Sequence, residues 1–355
     1  MTRNAQPGDG PHALTLPEIK LQILRELNAK SLLNAAIVCK AWTWPALDTM
    51  RQKYFIPLSA ALSPLIQCEP KKLRDSSFWG AISGAQTAPE HWDRYKRDYG
   101  RRIAHLIVDI DPDTISESNP ERPAAWSQVG PIFPNLVSLR FDIEGHATEE
   151  DEPENKDRWT YLVKLLIGPD LKNLTLSVYD VTKEVVEKNI QALANIAPHI
   201  NDVQITNNIY IPLNYAPFTS MKSLRVEGHI DHDGWKALAN CTHLERIELW
   251  EDDSGLEVHP QDYSVTFPQL GSLSIADCCG FRDRSFIVSL FHNTTMPMLW
   301  RLEVGIQTYT AAMSEVLRVE ILGSVRGRCP LLKELRIDGP ILGYSDITHR
   351  MISGH

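Results

Sequence analysis

The sequence lacks the cysteine patterns that mark a zinc site or a disulfide framework. Its 355 residues contain six cysteines, and no two of them form a C-x-x-C pair. Scattered cysteines of this kind are typical of reduced proteins, so we expect a location in the cytoplasm or nucleus and no disulfide network. The six are Cys39, Cys68, Cys241, Cys278, Cys279 and Cys329.

Long apolar runs are also missing. No stretch approaches the about 20 apolar residues that span a bilayer, so we expect no membrane partner. The first twelve residues, MTRNAQPGDGPH, are polar and do not resemble a secretion signal. We expect residues 1–12 to be a disordered lead-in and residues 346–355 to be a short tail.

The chain has no excess of positive charge. The sequence has 36 Lys and Arg residues and 45 Asp and Glu residues, and the resulting net charge of −9 argues against a general affinity for nucleic acid. One stretch, residues 89–103, does interleave five basic residues with aromatic ones. Pro89 can begin a helix there on which Trp92, Tyr95 and Tyr99 share one face. We interpret these aromatic side chains as packing inward, with the basic face in water; nucleic-acid binding is the alternative.

Signatures of common enzyme families are absent as well. The sequence contains no G-x-S-x-G, G-x-x-x-x-G-K-[ST], G-x-G-x-x-G or H-E-x-x-H pattern. Residues 229–233, His-Ile-Asp-His-Asp, come nearest to a metal cluster, and we interpret them as a polar turn. We therefore expect no catalytic residues, no cofactor and no metal. The alternative is a hydrolase whose site is built from scattered loops of the repeats described below, which predicts a deep pocket with convergent His and carboxylate side chains.

What the sequence does contain, near its start, is a set of short amphipathic helices. Within residues 14–50 the apolar positions recur at steps of three and four, which is the period of a helix. Thr15 can cap the first helix and Ser31 the second, while Trp42 and Leu47 belong to a third. Helices this short cannot bury all of their apolar side chains among themselves, so apolar surface is left for a partner.

The same stretch carries the pattern of a known domain. It has a Leu-Pro-acidic start at Leu16, an Ile-Leu pair at Ile23, a Ser-Leu-Leu start at Ser31 and the run Val-Cys-Lys-Ala-Trp ending at Trp42. This resembles an F-box over residues 13–52. The resemblance implies docking to the Skp-type adaptor of a cullin–RING ubiquitin ligase, and through that adaptor to the cullin scaffold. The residues it assigns to adaptor binding are Leu16, Pro17, Ile23, Leu24, Leu32, Leu33, Val38 and Trp42.

From Ile103 onward one pattern, apolar-x-x-apolar-x-apolar, occurs nine times. This resembles an irregular leucine-rich repeat over residues 103–345. Residues 89–103 resemble the segment that joins the F-box to the repeats in many fungal F-box proteins, and we expect residues 53–102 to form a helical linker. The resemblance implies an α/β repeat fold: a helical F-box, then a leucine-rich-repeat solenoid (horseshoe) with parallel strands on its concave face. An ordinary βαβ domain is the rival. Helical periodicity predicts helices in the segments that follow strands, at residues 159–167, 185–196, 285–291 and 314–325.

Between the core positions of each predicted strand lie residues that point away from the core. In a horseshoe these residues line the concave face, where Arg and Trp favour a protein partner over a small molecule. The alternative is a ladder of Arg–Glu pairs that satisfy one another across neighbouring strands. The residues that we assign to substrate binding are Arg140, Arg225, Arg246, Glu248, Trp250, Arg301, Glu303 and Arg336.

Together these features predict a non-catalytic subunit of a ubiquitin ligase. Its F-box would hold the adaptor, and its repeats would hold a protein substrate whose identity the sequence does not reveal. A scaffold that uses the same two parts without any role in degradation is the alternative.

Overall fold

The first described elements of the computed structural model are three short helices. They are α1 (Pro17–Glu26), α2 (Ala29–Val38) and α3 (Lys40–Lys53). The structure describes residues 17–38, 40–66, 89–108, 130–144, 163–179, 183–207, 214–228, 230, 232–250, 264–279, 290–307, 319–325 and 327–338.

The three helices share a small apolar core. Leu24, Leu32 and Ala46 are fully buried in it, and Trp42 packs against them from α3, as the sequence predicts. The predicted cap of α2 was wrong: the Asn28 side chain accepts a hydrogen bond from the Ser31 N–H at 2.9 Å. Asn28 therefore occupies the capping position, because its short amide reaches the free N–H groups of the first turn. The predicted cap of α1, Thr15, lies outside the described residues.

The sequence predicts a helical linker after the three helices, but the described part of this segment also contains a short strand. It contains β1 (Ile56–Pro57), α4 (Leu58–Ile66), α5 (Pro89–Asp98) and a 3-10 turn (Gly100–Arg102). The predicted helix start at Pro89 is confirmed, and Trp92 and Tyr95 are buried as expected.

Burial of Tyr95 is accompanied by a specific contact. Its hydroxyl donates a hydrogen bond to the Ala61 carbonyl of α4, and its ring packs near Phe133. Desolvation raises the pKa of this phenol far above its usual value, so the side chain stays neutral. The aromatic face of α5 therefore joins the linker to the main core, which supports the inward packing that we inferred from the sequence.

The remaining strands form one large sheet and one small one. The small sheet pairs β8 (Val265–Thr266) with β10 (Thr294–Thr295). The large sheet contains β1 and nine further strands: β2 (His105–Val108), β3 (Ser138–Glu144), β4 (Asn173–Tyr179), β5 (Asp202–Asn207), β6 (Ser223–Glu227), β7 (Arg246–Trp250), β9 (Ser272–Cys279), β11 (Arg301–Gln307) and β12 (Glu334–Asp338).

All pairs in the large sheet are parallel, and its order is β1-β2-β3-β4-β5-β6-β7-β9-β11-β12. Each of the nine copies of the sequence pattern forms one strand, and the copies pair in the same register. The second apolar residue of every copy therefore lies in one buried row: Leu106, Leu139, Leu174, Val203, Leu224, Ile247, Leu273, Leu302 and Leu335.

A repeated backbone contact fixes this register. The carbonyl that precedes β2, at Ala104, accepts hydrogen bonds from the N–H groups of Val137 at 2.8 Å and Ser138 at 2.9 Å. The same double contact recurs at every step along the sheet, up to the Trp300 carbonyl. Ala104 itself donates to the Arg51 carbonyl of α3 at 3.4 Å, so the helical unit occupies the position of a preceding repeat.

The chain returns between strands on the side of the sheet that carries the core. Two return segments form α6 (Lys183–Ile196) and α7 (His232–Leu238). Each of the four predicted helices contains helical residues in the structure. These residues are 163–166, α6, 290–293 and 319–325. The observed architecture is thus an α/β repeat in which helices and turns cover one face.

We predict that Trp235 on α7 stabilises the middle of the array. Its indole Nε1 donates to the Thr294 hydroxyl at 3.0 Å, and its ring lies 4.8 Å from that of Phe267. Because Trp235 and Thr294 are fully buried, Trp235→Ala should cost about 3–5 kcal/mol and Thr294→Val about 1–3 kcal/mol. Urea unfolding followed by circular dichroism measures both losses. Val319→Ala, at an exposed apolar side chain, should change the midpoint little; equal losses in all three variants would contradict this role.

Candidate functional site

The first candidate surface lies on α2. Leu33 is 49% exposed and Ile37, one turn further along the helix, is 76% exposed. Side chains four residues apart share a helix face, so the two form a continuous apolar strip in water. Pro17 is also exposed, and Ile23 and Trp42 are half-buried. An apolar strip of this kind offers burial to a protein partner.

The eight residues predicted for adaptor binding do not all lie on this surface. Leu24 and Leu32 have no exposed area and support the core of the helical unit. Leu16 and the side chain of Val38 lie outside the described residues. Ile37 was not among the predicted residues, although its spacing of four from Leu33 was a signal that could have placed it there.

A groove of about 840 Å³ separates α1 and α3 from the linker. Exposed Leu21 and Trp44 lie on its helical side, and Tyr99 and Arg102 lie on its linker side. Among the described residues that line it there is no His or Cys, and Asp48 is already paired with Arg102. The groove lies beside the helical unit, away from the repeat loops in which the hydrolase alternative places its site.

The contact between Asp48 and Arg102 joins the helical unit to the linker that precedes the repeats. Nη1 of the Arg102 guanidinium donates to both carboxylate oxygens of Asp48, at 2.9 and 3.0 Å, and the guanidinium lies 5.7 Å from the Trp44 ring. Beside it, the Arg51 guanidinium lies 5.7 Å from the Tyr99 ring. Two arginine–aromatic contacts and a carboxylate pair thus hold α3 against the end of the linker.

The second candidate surface is the open face of the large sheet, the face opposite the core. All eight residues predicted for substrate binding lie in rows on this face. The central row of side chains runs across the paired strands as Ile107, Arg140, Thr175, Gln204, Arg225, Glu248, Ser274, Glu303 and Arg336.

Many charges on the open face are paired with one another. Arg225 forms an ion pair with Glu227 at 2.8 Å, and Glu303 forms ion pairs with both Arg301 and Arg336 at 3.3 Å. These pairs are substantially exposed, so each contributes little to stability. The predicted ladder of self-satisfied pairs is therefore present in part, and it coexists with exposed side chains that remain open to a partner.

Trp250 is the main aromatic side chain among the predicted residues of the open face. It is 42% exposed, and the Arg225 guanidinium lies 5.2 Å from its ring. Arg225 is in turn held by Glu227, whose other carboxylate oxygen accepts from the Thr206 hydroxyl at 3.2 Å. The ring is thus supported on one side by a connected polar cluster, as an interface anchor requires.

The described residues show few signs of reactive chemistry. They contain no group of three or more His, Cys, Asp or Glu side chains able to hold a metal ion. His229 and Asp231, from the polar turn singled out in the sequence, lie outside them. Cys241 and Cys329 are buried, and desolvation raises the pKa of each thiol to about 11, which disfavours the nucleophilic thiolate. Among the helices in the described ranges, none has the length and apolar character needed to cross a membrane.

Comparison with known proteins identifies the helical unit. Residues 17–52 match the family model described as F-box-like. The match covers the three-helix unit, which we call the F-box-like domain from here on. Among curated proteins, no sequence matches the chain. One solved structure, of a protein from Bacteroides fragilis, is similar at 16% identity and a TM-score of 0.36, over 66% of this chain and 68% of that one.

We predict that Asp48 and Arg102 couple the F-box-like domain to the linker before the repeats. A double-mutant cycle with Asp48→Ala and Arg102→Met should give a coupling energy of about 1–2 kcal/mol in urea unfolding, because the Arg102 Nη1 contacts both carboxylate oxygens and the pair is partly buried. The matched control is the exposed pair Lys222–Glu245, also at 3.0 Å, for which about 0–0.5 kcal/mol is expected. Equal coupling in the two cycles would remove the special role of the junction.

We also predict that Cys241 and Cys329 resist alkylation in the folded chain. Because burial keeps both thiols protonated, iodoacetamide at mildly alkaline pH should modify them far more slowly than in concentrated guanidinium. Peptide mass spectrometry reports the two positions separately. Rapid labelling of either position without unfolding would show that the thiol is accessible.

Proposed function

We propose that this protein is the substrate-recognition subunit of an SCF-type, cullin–RING ubiquitin ligase. The observation that carries the proposal is the F-box-like match at residues 17–52. F-box domains bind Skp-type adaptors, which attach them to the cullin scaffold. In this role the protein carries out no reaction itself and works in the cytoplasm or nucleus.

The adaptor would cover the exposed strip on α2. Leu33 and Ile37 project from one helix face, and burying such a side chain contributes about 1.5–3 kcal/mol. Pro17 is exposed and Ile23 and Trp42 are half-buried, so each leaves surface for an adaptor, while Leu24 and Leu32 hold the helices in place. Leu16 and Val38 complete the proposed contact set on the strength of the family pattern alone.

The repeats would act as an irregular leucine-rich-repeat solenoid that holds a protein substrate on its open face. The nine sequence repeats, their parallel pairing and their common register support this interpretation. Catalysis in such an assembly comes from proximity, because the substrate is held at a set distance from the transferring enzyme. The contacts of Asp48 and Arg51 with the linker favour a fixed distance.

We predict that Leu33→Glu/Ile37→Glu abolishes adaptor binding without unfolding the chain. Both side chains are exposed, so the substitutions add charge to the strip but remove little from the core. Co-purification of the full chain with a Skp-type adaptor, with circular dichroism on the same sample, measures the two effects separately. The matched control is Val319→Glu/Leu331→Glu, two apolar residues that are 59% and 47% exposed outside the F-box-like domain.

Each outcome of this experiment has a distinct meaning. Loss of the adaptor in the α2 variant but not in the control supports the ligase assignment. Failure of the folded wild-type chain to bind any Skp-type adaptor overturns it. If the adaptor binds but no cellular substrate accumulates on proteasome inhibition, the scaffold role without degradation replaces the proposed one.

A further inference from the structure

Three neighbouring strands give one part of the open face an ordered chemistry. On β7 and β11, the outward residues near the strand starts are Arg246 and Arg301, and two residues further on they are Glu248 and Glu303. The strand between them, β9, pairs with β7 in register, and it pairs with β11 in register up to Ile275 opposite Val304, after which the register shifts. A row of basic side chains therefore lies beside a row of acidic ones, and both rows cross the same middle strand.

The middle strand leaves space between these side chains. Its outward residues are Ser272 opposite Arg246 and Arg301, Ser274 opposite the two glutamates, and Ala276 opposite Trp250. All three are small and partly exposed. The larger charged side chains on β7 and β11 thus stand on either side of a shallower path, which we name the β9 path.

A tryptophan lies near each end of the β9 path. Trp250 adjoins Ala276 at the carboxyl end and is held by Arg225. Trp300 packs across Gly271 at the other end, where an added Cβ would lie 2.9 Å from its indole Nε1. Because Trp300 is 45% exposed, it offers apolar area while it closes the path. Along the strand the path therefore begins beside Trp300, continues through a basic row and an acidic row, and ends beside Trp250.

The spacing of these rows matches that of an extended peptide. Side chains two residues apart on a strand are about 7 Å apart, and β7 and β11 lie about 10 Å apart across β9. An extended segment along the path would present its residues i, i+2 and i+4 to the three rows. Arg301 and Glu303 already form ion pairs with each other and with Glu334 and Arg336 of β12. Replacing these partly exposed pairs by ion pairs with a bound segment costs little free energy.

We propose that the β9 path binds an extended protein segment in which an acidic, a basic and a large apolar residue alternate at every second position. The acidic side chain lies between Arg246 and Arg301, the basic one between Glu248 and Glu303, and the apolar one against Trp250. Charge complementarity sets the order of the three, and the segment runs in either direction along the path. That this segment belongs to a ligase substrate rests on the proposed function; the binding itself does not.

The test uses fluorescence anisotropy with the full chain and labelled seven-residue peptides. The matched peptide is Gly-Asp-Ser-Lys-Ser-Leu-Gly, and a reversed copy covers the opposite direction. In the exchanged peptides Asp and Lys trade places, so composition and net charge stay constant. We expect one of the two matched orders to bind about tenfold more tightly than its exchanged partner, and Trp250→Ala to weaken that binding about tenfold.

A charge-exchange variant makes the test specific. Arg246→Glu/Glu248→Arg should reduce or reverse the preference between matched and exchanged peptides. The control Lys183→Glu/Glu187→Lys makes the same kind of exchange in an ion pair on α6, on the opposite side of the sheet from the path, and should leave the preference intact. Equal binding of matched and exchanged peptides, a preference that the variant does not alter, or no binding of any peptide overturns the proposal. Adaptor co-purification on the same preparation reports separately on the proposed ligase role.

Discussion

The backbone carbonyl that precedes each strand is the contact on which the rest of the structure depends. At every step it accepts two N–H groups from the next repeat, and so it fixes both the pairing and the register of neighbouring strands. A shift of one residue would turn the row of Leu, Ile and Val side chains out into water. Because no single repeat can bury its own apolar edge, the repeats must stack, and stability accumulates between neighbours.

A single backbone contact ties the F-box-like domain to the first strand. The Arg51 carbonyl, near the end of α3, accepts the N–H group of Ala104 at 3.4 Å, and β1 then extends the sheet beside β2. Asp48 reinforces the junction because both of its carboxylate oxygens accept from the Arg102 Nη1. The position of the α2 strip relative to the open face is thus set by covalent continuity, backbone pairing and side-chain contacts together. This is the geometric condition that catalysis by proximity requires.

The sequence was sufficient to predict the nine repeat strands and their buried residues, because an alternation of period two and a fixed spacing determine which residues face inward. It was less informative where several residues have the same capacity. Ser31 and Asn28 are both good caps, and only the chain path shows that Asn28 is used. The strand at Ile56–Pro57 was missed because two residues carry no period. Nor could the helical stripe separate buried Leu24 and Leu32 from exposed Leu33 and Ile37, since that division depends on how three helices pack. The ion pairs of the open face also depend on rotamers that sequence does not encode.

Wholly parallel sheets are commonly covered on both faces, and their strands then read as continuous apolar runs. Here most of the described strands alternate instead, with apolar side chains toward the core and mainly charged, polar or small residues on the other face, where Ile107 and Trp250 are exceptions. Exposed ion pairs add little to stability, so folding alone does not account for the particular arrangement of Arg, Glu and Trp on β7 and β11. An alternating face of this kind is compatible with water in the free protein, and it retains an ordered pattern of charge that a partner can match. Selectivity for a partner, more than strength of binding, is what such a pattern provides.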